Sequence, residues 1–228
     1  MSTDTICAIA TPHGIGGISI VRLSGTEAVT IARRLLHEEV LKPRFAHLRT
    51  LYDTQNAVID EAIVLFFQNP HSFTGEDVVE FQSHGGSVTA QRILETLLAY
   101  GARIANPGEF TKRAVLNGKM DLSQAEAVAK LIESKSVDAA KILSRQLKGE
   151  LKIYVDALRD KLVEILAFIE VNIDYAEEDL PPTLQQEIAE RLDEIDTQIT
   201  RAVETSRSRG GLMEGFNVAI VGKPNVGK

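Results

Sequence analysis

Seven residues, Gly222-Lys223-Pro224-Asn225-Val226-Gly227-Lys228, carry the spacing G-x-x-x-x-G-K. That spacing suits one kind of chemistry. Glycines let the backbone take conformations closed to other residues, so successive N–H groups turn inward and cradle phosphate oxygens. Lys228 would then reach the β- and γ-phosphates of a nucleotide, and a helix starting there would offer its positive end. The apolar run 216–221 just before it reads as the buried strand that such a loop requires. The competing reading is a glycine-rich hairpin after an edge strand. The motif predicts a P-loop nucleotide hydrolase, with residues 1–228 as its front part and inactive alone.

Other reactive side chains are scattered. His84-Gly85-Gly86 allows a catalytic histidine beside a phosphate loop. A strand-to-helix turn explains it as well, since no Ser, Cys or acid partner stands out in the sequence. Cys7 sits in an apolar stretch and reads as a small buried hydrophobe. The acidic run Glu177-Glu178-Asp179 fits no metal-ligand spacing and reads as a solvated link. Glu80 alternates with apolar neighbours on a probable strand, which alone suggests a solvent-facing position. Arg22 alone reads as an ion-pair residue, and Lys119, after Asn117-Gly118, as a turn lysine.

The elements that must position these residues fall into three zones. Residues 1–120 mix strand and helix signals. Strands are expected at 5–10, 17–23, 45–52, 62–67 and 78–82, and helices after the capping-box pattern Ser24-Gly25-Thr26-Glu27 and over 87–99. Gly101 stands where a helix C-terminal glycine belongs. Several strands follow one another without long crossovers, which predicts an α+β domain. Residues 121–211 read as helical, opening on a second capping-box pattern, Ser123-Gln124-Ala125-Glu126. Leu151, Val155, Leu158, Leu162, Ile165, Ile169 and Ile173 form one apolar stripe. Leu184, Ile188, Leu192, Ile195, Ile199 and Val203 form another. Acid and proline at 174–182 mark the link between these two helices, and Arg209-Gly210-Gly211 the end of the zone. Residues 212–228 would begin a third domain of α/β type with its first strand and P-loop.

Composition sets outer limits. A chain that is 44% hydrophobic and 25% charged can bury a real core and is not disordered by composition. A formal net charge of -7 argues against bare electrostatic grip on nucleic acid or anionic membrane, although a local basic patch stays open. One cysteine excludes an internal disulfide. The first residues lack a signal-peptide pattern, and no apolar run reaches the ~20 residues of a membrane span. The expectation is a cytoplasmic protein that does not enter the membrane.

Five stretches carry a resemblance that runs the length of the chain. They are Asp4-Thr5-Ile6-Cys7-Ala8-Ile9-Ala10-Thr11-Pro12; Gly16-Gly17-Ile18-Ser19-Ile20-Val21-Arg22-Leu23-Ser24-Gly25; Ser72-Phe73-Thr74-Gly75-Glu76-Asp77-Val78-Val79-Glu80; Asn106-Pro107-Gly108-Glu109-Phe110-Thr111-Lys112-Arg113-Ala114; and Asn117-Gly118-Lys119-Met120-Asp121-Leu122-Ser123-Gln124-Ala125-Glu126. With the 222–228 loop they resemble the MnmE (TrmE) family of tRNA-modification GTPases. The resemblance implies a folate-binding, dimerising domain at 1–120, the first half of a helical domain at 121–211, and the start of an inserted Ras-like GTPase domain at 212–228. It implies a homodimer that works with a flavin-dependent partner (MnmG, also GidA). A one-carbon unit from methylene-tetrahydrofolate would then build an aminomethyl-type group on C5 of the wobble uridine of certain tRNAs. Carried over residue by residue, Arg22, Glu80 and Lys119 match folate-contacting positions. Asn225, Val226, Gly227 and Lys228 match GTP contacts, and Asn225 also matches a ligand of an activating potassium ion. GTP, Mg2+, K+ and a tetrahydrofolate derivative such as 5-formyl- or 5,10-methylene-tetrahydrofolate would be the cofactors. No catalytic residue is assigned within these positions. A stand-alone folate-dependent aminomethyltransferase-like protein is the alternative, against which the terminal strand and loop speak.

Overall fold

The computed structural model describes residues 4–38, 41–174, 183–214 and 221–222. They form a mixed α+β chain with one six-stranded sheet and, among the described residues, seven α-helices. The chain divides into two compact units, Met1–Met120 and Asp121–Lys228.

In the first unit the strands are β1 (Ile6–Ile9), β2 (Ile18–Ser24), β3 (His47–Tyr52), β4 (Val58–Phe67), β5 (Val78–His84) and β6 (Arg103–Ile104). The sheet order is β3-β4-β5-β2-β1-β6. All pairs are antiparallel except β1 with β6. Alternation along the strands decides which face is buried. Val21 and Leu23 of β2, Ala62, Val64 and Phe66 of β4, and Val79 and Phe81 of β5 join one core. Helices α1 (Ala28–Leu36) and α2 (Ser87–Ala99) close it through Ile31, Leu35, Ile93 and Leu97. The opposite face keeps Ile18, Leu48 and Ile63 exposed.

Two local expectations fail for physical reasons. Ser24 does not cap α1. It ends β2, and its hydroxyl goes to Thr74 Oγ1 and Glu76 Oε2, both at 2.8 Å, so the helix begins after Glu27 without a side-chain cap. A short helix, α3 (Glu109–Leu116), and the two-residue β6 lie beyond what the sequence pattern predicts. The ion pairs of Arg103 and Arg113 with distant carboxylates, described below, hold both in place.

The second unit contains α4 (Leu122–Glu133), α5 (Val137–Leu147), α6 (Glu150–Asp174) and α7 (Thr183–Glu214). A capping box does open α4, but on Asp121 and Gln124, two residues before the expected pattern. Asp121 accepts from Gln124 N–H, and the Gln124 side chain accepts from Asp121 N–H. Helix α7 runs through Gly210 and Gly211 to Glu214. A glycine costs a helix about 1 kcal/mol relative to alanine but need not end it. Leu158 and Ile165 of α6 pack with Ile195 of α7, flanked by Ile169 and Ile188. The acidic run 177–179 and the expected strand at 216–220 lie outside the described residues. Val221 and Gly222 carry no regular element.

Candidate functional site

β2 and β5 run antiparallel with Arg22 directly opposite Glu80. Because Val21, Leu23, Val79 and Phe81 fill the core, Arg22 and Glu80 must point to the other face of the sheet. There Arg22 Nε donates to Glu80 Oε1 at 2.8 Å, and Nη2 lies 2.7 Å from the same oxygen. Glu80 Oε2 has no hydrogen-bond partner among the described residues. The guanidinium carbon stands 5.4 Å from the Phe73 ring centroid and 5.6 Å from that of Phe110. Arg22 is thus fixed by one carboxylate and two rings.

The segment 68–77 that carries Phe73 is tied down at several points. Thr74 is fully buried; its hydroxyl meets that of Ser24, and its carbonyl accepts from Asn117 Nδ2 at 2.8 Å. Ser72 Oγ donates to the Glu76 carbonyl, and Asn69 N–H to Asp77 Oδ1 at 2.8 Å. Glu76 in turn pairs with Arg113 of α3 at 3.1 Å.

Arg113 is 4% exposed. It also reaches Asp4 at 2.7 Å and Glu109 at 3.1 Å, so one buried cation joins the chain before β1, the 68–77 segment and α3. Burial disfavours its charge, but the surrounding carboxylates outweigh this and raise its pKa. Arg103 adds a second cation, Nη1 donating to Glu109 Oε2 at 2.8 Å. The Arg103 hydrogen bonds hold the Glu109 carboxyl down at about 2.

Lys119 stands elsewhere. Its N–H closes the end of α3 on Ala114 O at 2.8 Å, after Gly118 in the left-handed region (φ 67). Its exposed side chain makes no ion pair among the described residues. The stem passes close to Gly75, where an added Cβ would lie 3.0 Å from Lys119 Cγ. With Gly25, Thr26, Glu76 and Asn117, Lys119 lines a cavity of about 420 Å³. The structure therefore joins Arg22 to Glu80 and sets Lys119 in a cavity that neither of them lines. Asn225, Val226, Gly227 and Lys228 lie outside the described residues, and so do the GTP, Mg2+ and K+ expectations resting on them.

Other candidates resolve differently. His84 does have an acid partner, which no local pattern announces: its Nδ1 lies 2.8 Å from Asp60 Oδ1, and Asp60 Oδ2 accepts the His84 N–H at 2.8 Å. Burial works against the Asp60 charge, but these bonds prevail and lower its pKa. Cys7 is buried as expected, and burial pushes its thiol up to about 11. No group of three or more His, Cys, Asp or Glu able to hold a metal occurs among the described residues. Phe73, Phe110 and Arg113 escape sequence reasoning as site residues, although each lies inside a motif quoted above. An aromatic or arginine within a motif otherwise made of turn and strand residues is the signal that could have found them.

The family profile described as GTP-binding protein TrmE N-terminus matches residues 5–119, and that described as MnmE helical domain matches residues 122–218. The chain belongs to the MnmE (TrmE) family. Relatives named tRNA modification GTPase MnmE occur in Sulfurovum sp. (strain NBC37-1), 58% identical over 225 residues, covering 99% of this chain and 50% of the relative. The Sulfurimonas denitrificans relative is 57% identical over 228 residues, covering 100% and 51%. That of a Nitratiruptor species is 60% identical over 227 residues, also covering 100% and 51%. The chain spans about half the length of the curated relatives it matches. The first profile contains Arg22, Glu80, Phe73 and most of the ion-pair network, so the family's N-terminal segment and the first unit are the same stretch of chain. Among the described residues no helix is long and apolar enough to cross a membrane.

Proposed function

We propose that this chain is the folate-binding and dimerising front part of a cytoplasmic tRNA modification GTPase. The observation that carries this reading is the Arg22–Glu80 pair, whose guanidinium stands beside two phenyl rings and which leaves Glu80 Oε2 without a partner among the described residues. A pterin presents an amide-guanidine edge whose N–H groups suit a carboxylate. Glu80 offers that acceptor, already oriented by Arg22. Lys119 supplies a separate cation, suited to a carbonyl or carboxylate oxygen of the same ligand. The Arg22–Glu80 pair therefore suits the pterin edge of a reduced folate, and when bound the folate supplies the one-carbon unit. The chain's own residues bind and orient it; no described residue is assigned to bond making.

In this reading a second copy joins through the first unit, whose sheet face keeps Ile18, Leu48 and Ile63 exposed. The flavin-dependent partner and the tRNA complete the assembly, which acts at C5 of the wobble uridine. GTP, with Mg2+ and K+, belongs to the 222–228 loop and the GTPase domain that it begins. The net charge of -7 leaves most of the basic tRNA-binding surface to the partner. Strong, salt-sensitive tRNA binding by this chain alone would contradict that division of labour.

The test is calorimetric titration of the chain with 5-formyl-tetrahydrofolate beside a Glu80→Ala variant. The expected result is about one ligand per chain, with binding lost in the variant. Equal binding by both would remove Glu80 from the site. No binding by the folded, unaltered chain would sink the folate reading.

A further inference from the structure

Glu80 accounts for how a flat ligand's edge would be held, but not for what meets its face. An edge and a face need different groups: a coplanar hydrogen-bonding acceptor for one, an apolar or aromatic plane for the other. Of the two rings beside Arg22, Phe73 is 38% exposed, whereas the large side chains of the core, such as Phe81, are fully buried. A single apolar ring left in water on an untethered loop would call for no explanation. This one is held in place. The residue after it is fully buried and bonded on both its hydroxyl and its carbonyl. The residue before it donates to the Glu76 carbonyl, and Glu76 is clamped by buried Arg113. Ring and carboxylate also share one scaffold, since the same guanidinium bonds Glu80 and lies over Phe73.

Resting on the folate reading above, we propose that Phe73 is the stacking surface for the pterin ring whose edge Glu80 holds. Phe110 lies on the first turn of α3 and is half-buried, so its role is to support Arg22. A ring held ready in place loses little freedom when the ligand arrives, which is the physical advantage of fixing it on a tied segment.

The chain contains no tryptophan, so Phe73→Trp places a single indole reporter at the position in question. The experiment combines calorimetric titration with 5-formyl-tetrahydrofolate and indole fluorescence on the full chain. Phe73→Leu, which keeps an apolar side chain but removes the flat face, should bind about tenfold more weakly. Phe73→Trp should bind within about threefold of the unaltered chain, and its emission should be quenched along the same saturation curve as the heat. Phe45→Trp, at an exposed ring outside the site, should bind equally well and be quenched much less. If Phe73→Leu binds like the unaltered chain while Glu80→Ala does not, the stacking role is wrong and the folate reading stands. If Phe73→Leu fails to fold, the indole arm decides: calorimetric binding by Phe73→Trp without quenching overturns the proposal. Absence of binding by the unaltered chain overturns both readings together.

Discussion

The two units use the same apolar residue types and reach different results. In the first, one face of a six-stranded sheet and two helices close over each other. Residues such as Val21, Leu35, Phe81, Ile93 and Leu97 lose all contact with water. In the second, α6 and α7 carry apolar stripes at helical spacing, yet among the described residues only Leu158, Ile165 and Ile195 form a buried cluster. Val155, Leu162, Ile199 and Val203 each stay more than 40% exposed. Periodicity tells which side of a helix is apolar, not whether anything covers it. A sheet with helices across it closes its own core, whereas two long helices bury only the seam between them.

The contrast makes graded predictions. The largest effect should come from Phe81→Ala, which opens a cavity in the closed core and should cost about 3–5 kcal/mol. Leu162→Ala, at a site already 43% exposed, should cost under about 1 kcal/mol. Urea unfolding followed by circular dichroism compares the two. Equal costs would erase the distinction between the units.

Next comes the buried cation. Arg113→Met removes one partner from Asp4, Glu76 and Glu109 together and should destabilise the first unit by about 3 kcal/mol. It should also expose the 68–77 segment to proteolysis. A variant as stable as the parent would mean that the carboxylates find other partners at no cost.

A smaller effect should appear with acid. Glu109 titrates at about 2 in the folded chain against an ordinary 4.5. A depressed carboxylate stabilises the fold at pH values above its unfolded pKa, and the contribution is lost as pH falls through the folded one. The first unit should therefore lose about 1–2 kcal/mol between about pH 4.5 and 2, less than the full shift implies because Arg103 is 41% exposed and solvent screens the pair. Glu109→Gln should flatten that part of the stability–pH curve. An unchanged curve would show that other carboxylates carry the acid response.

A small, local effect tests the second unit. Asp121→Ala removes the cap of α4 and should cost about 1 kcal/mol. Read by hydrogen exchange, the loss should stay within the first turns of α4. Loss of protection across α5–α7 would show this unit to be more cooperative than its thin core suggests.

Much of this architecture was legible in the sequence where the signal is local. Helix α2 follows a run of apolar residues at helical spacing and ends on Tyr100, with Gly101 in the left-handed region beyond it (φ 104), as the spacing predicts. β2 and β5 alternate plainly. What escaped was set by distant partners. Ser24 looks like a helix cap in its own neighbourhood, but Thr74 and Glu76 claim its hydroxyl from 50 and 52 residues away. Helix α3 is short and polar, and its Arg113 is drawn in by Asp4, 109 residues earlier. The candidate site divides the same way. Arg22 and Glu80 were each identifiable, but their contact depends on sheet register across 58 residues. The acid partner of His84 sits on a strand that only the fold brings near.

In the proposed folate site, Arg22 and Glu80 act as one unit in holding the ligand. A double-mutant cycle tests this most directly: calorimetric titration of 5-formyl-tetrahydrofolate into the unaltered chain, Arg22→Ala, Glu80→Ala and the double variant. Each single change should weaken binding severely, and the double variant should bind no worse than the weaker single. Independent, additive losses, or binding left intact in Glu80→Ala, would contradict it.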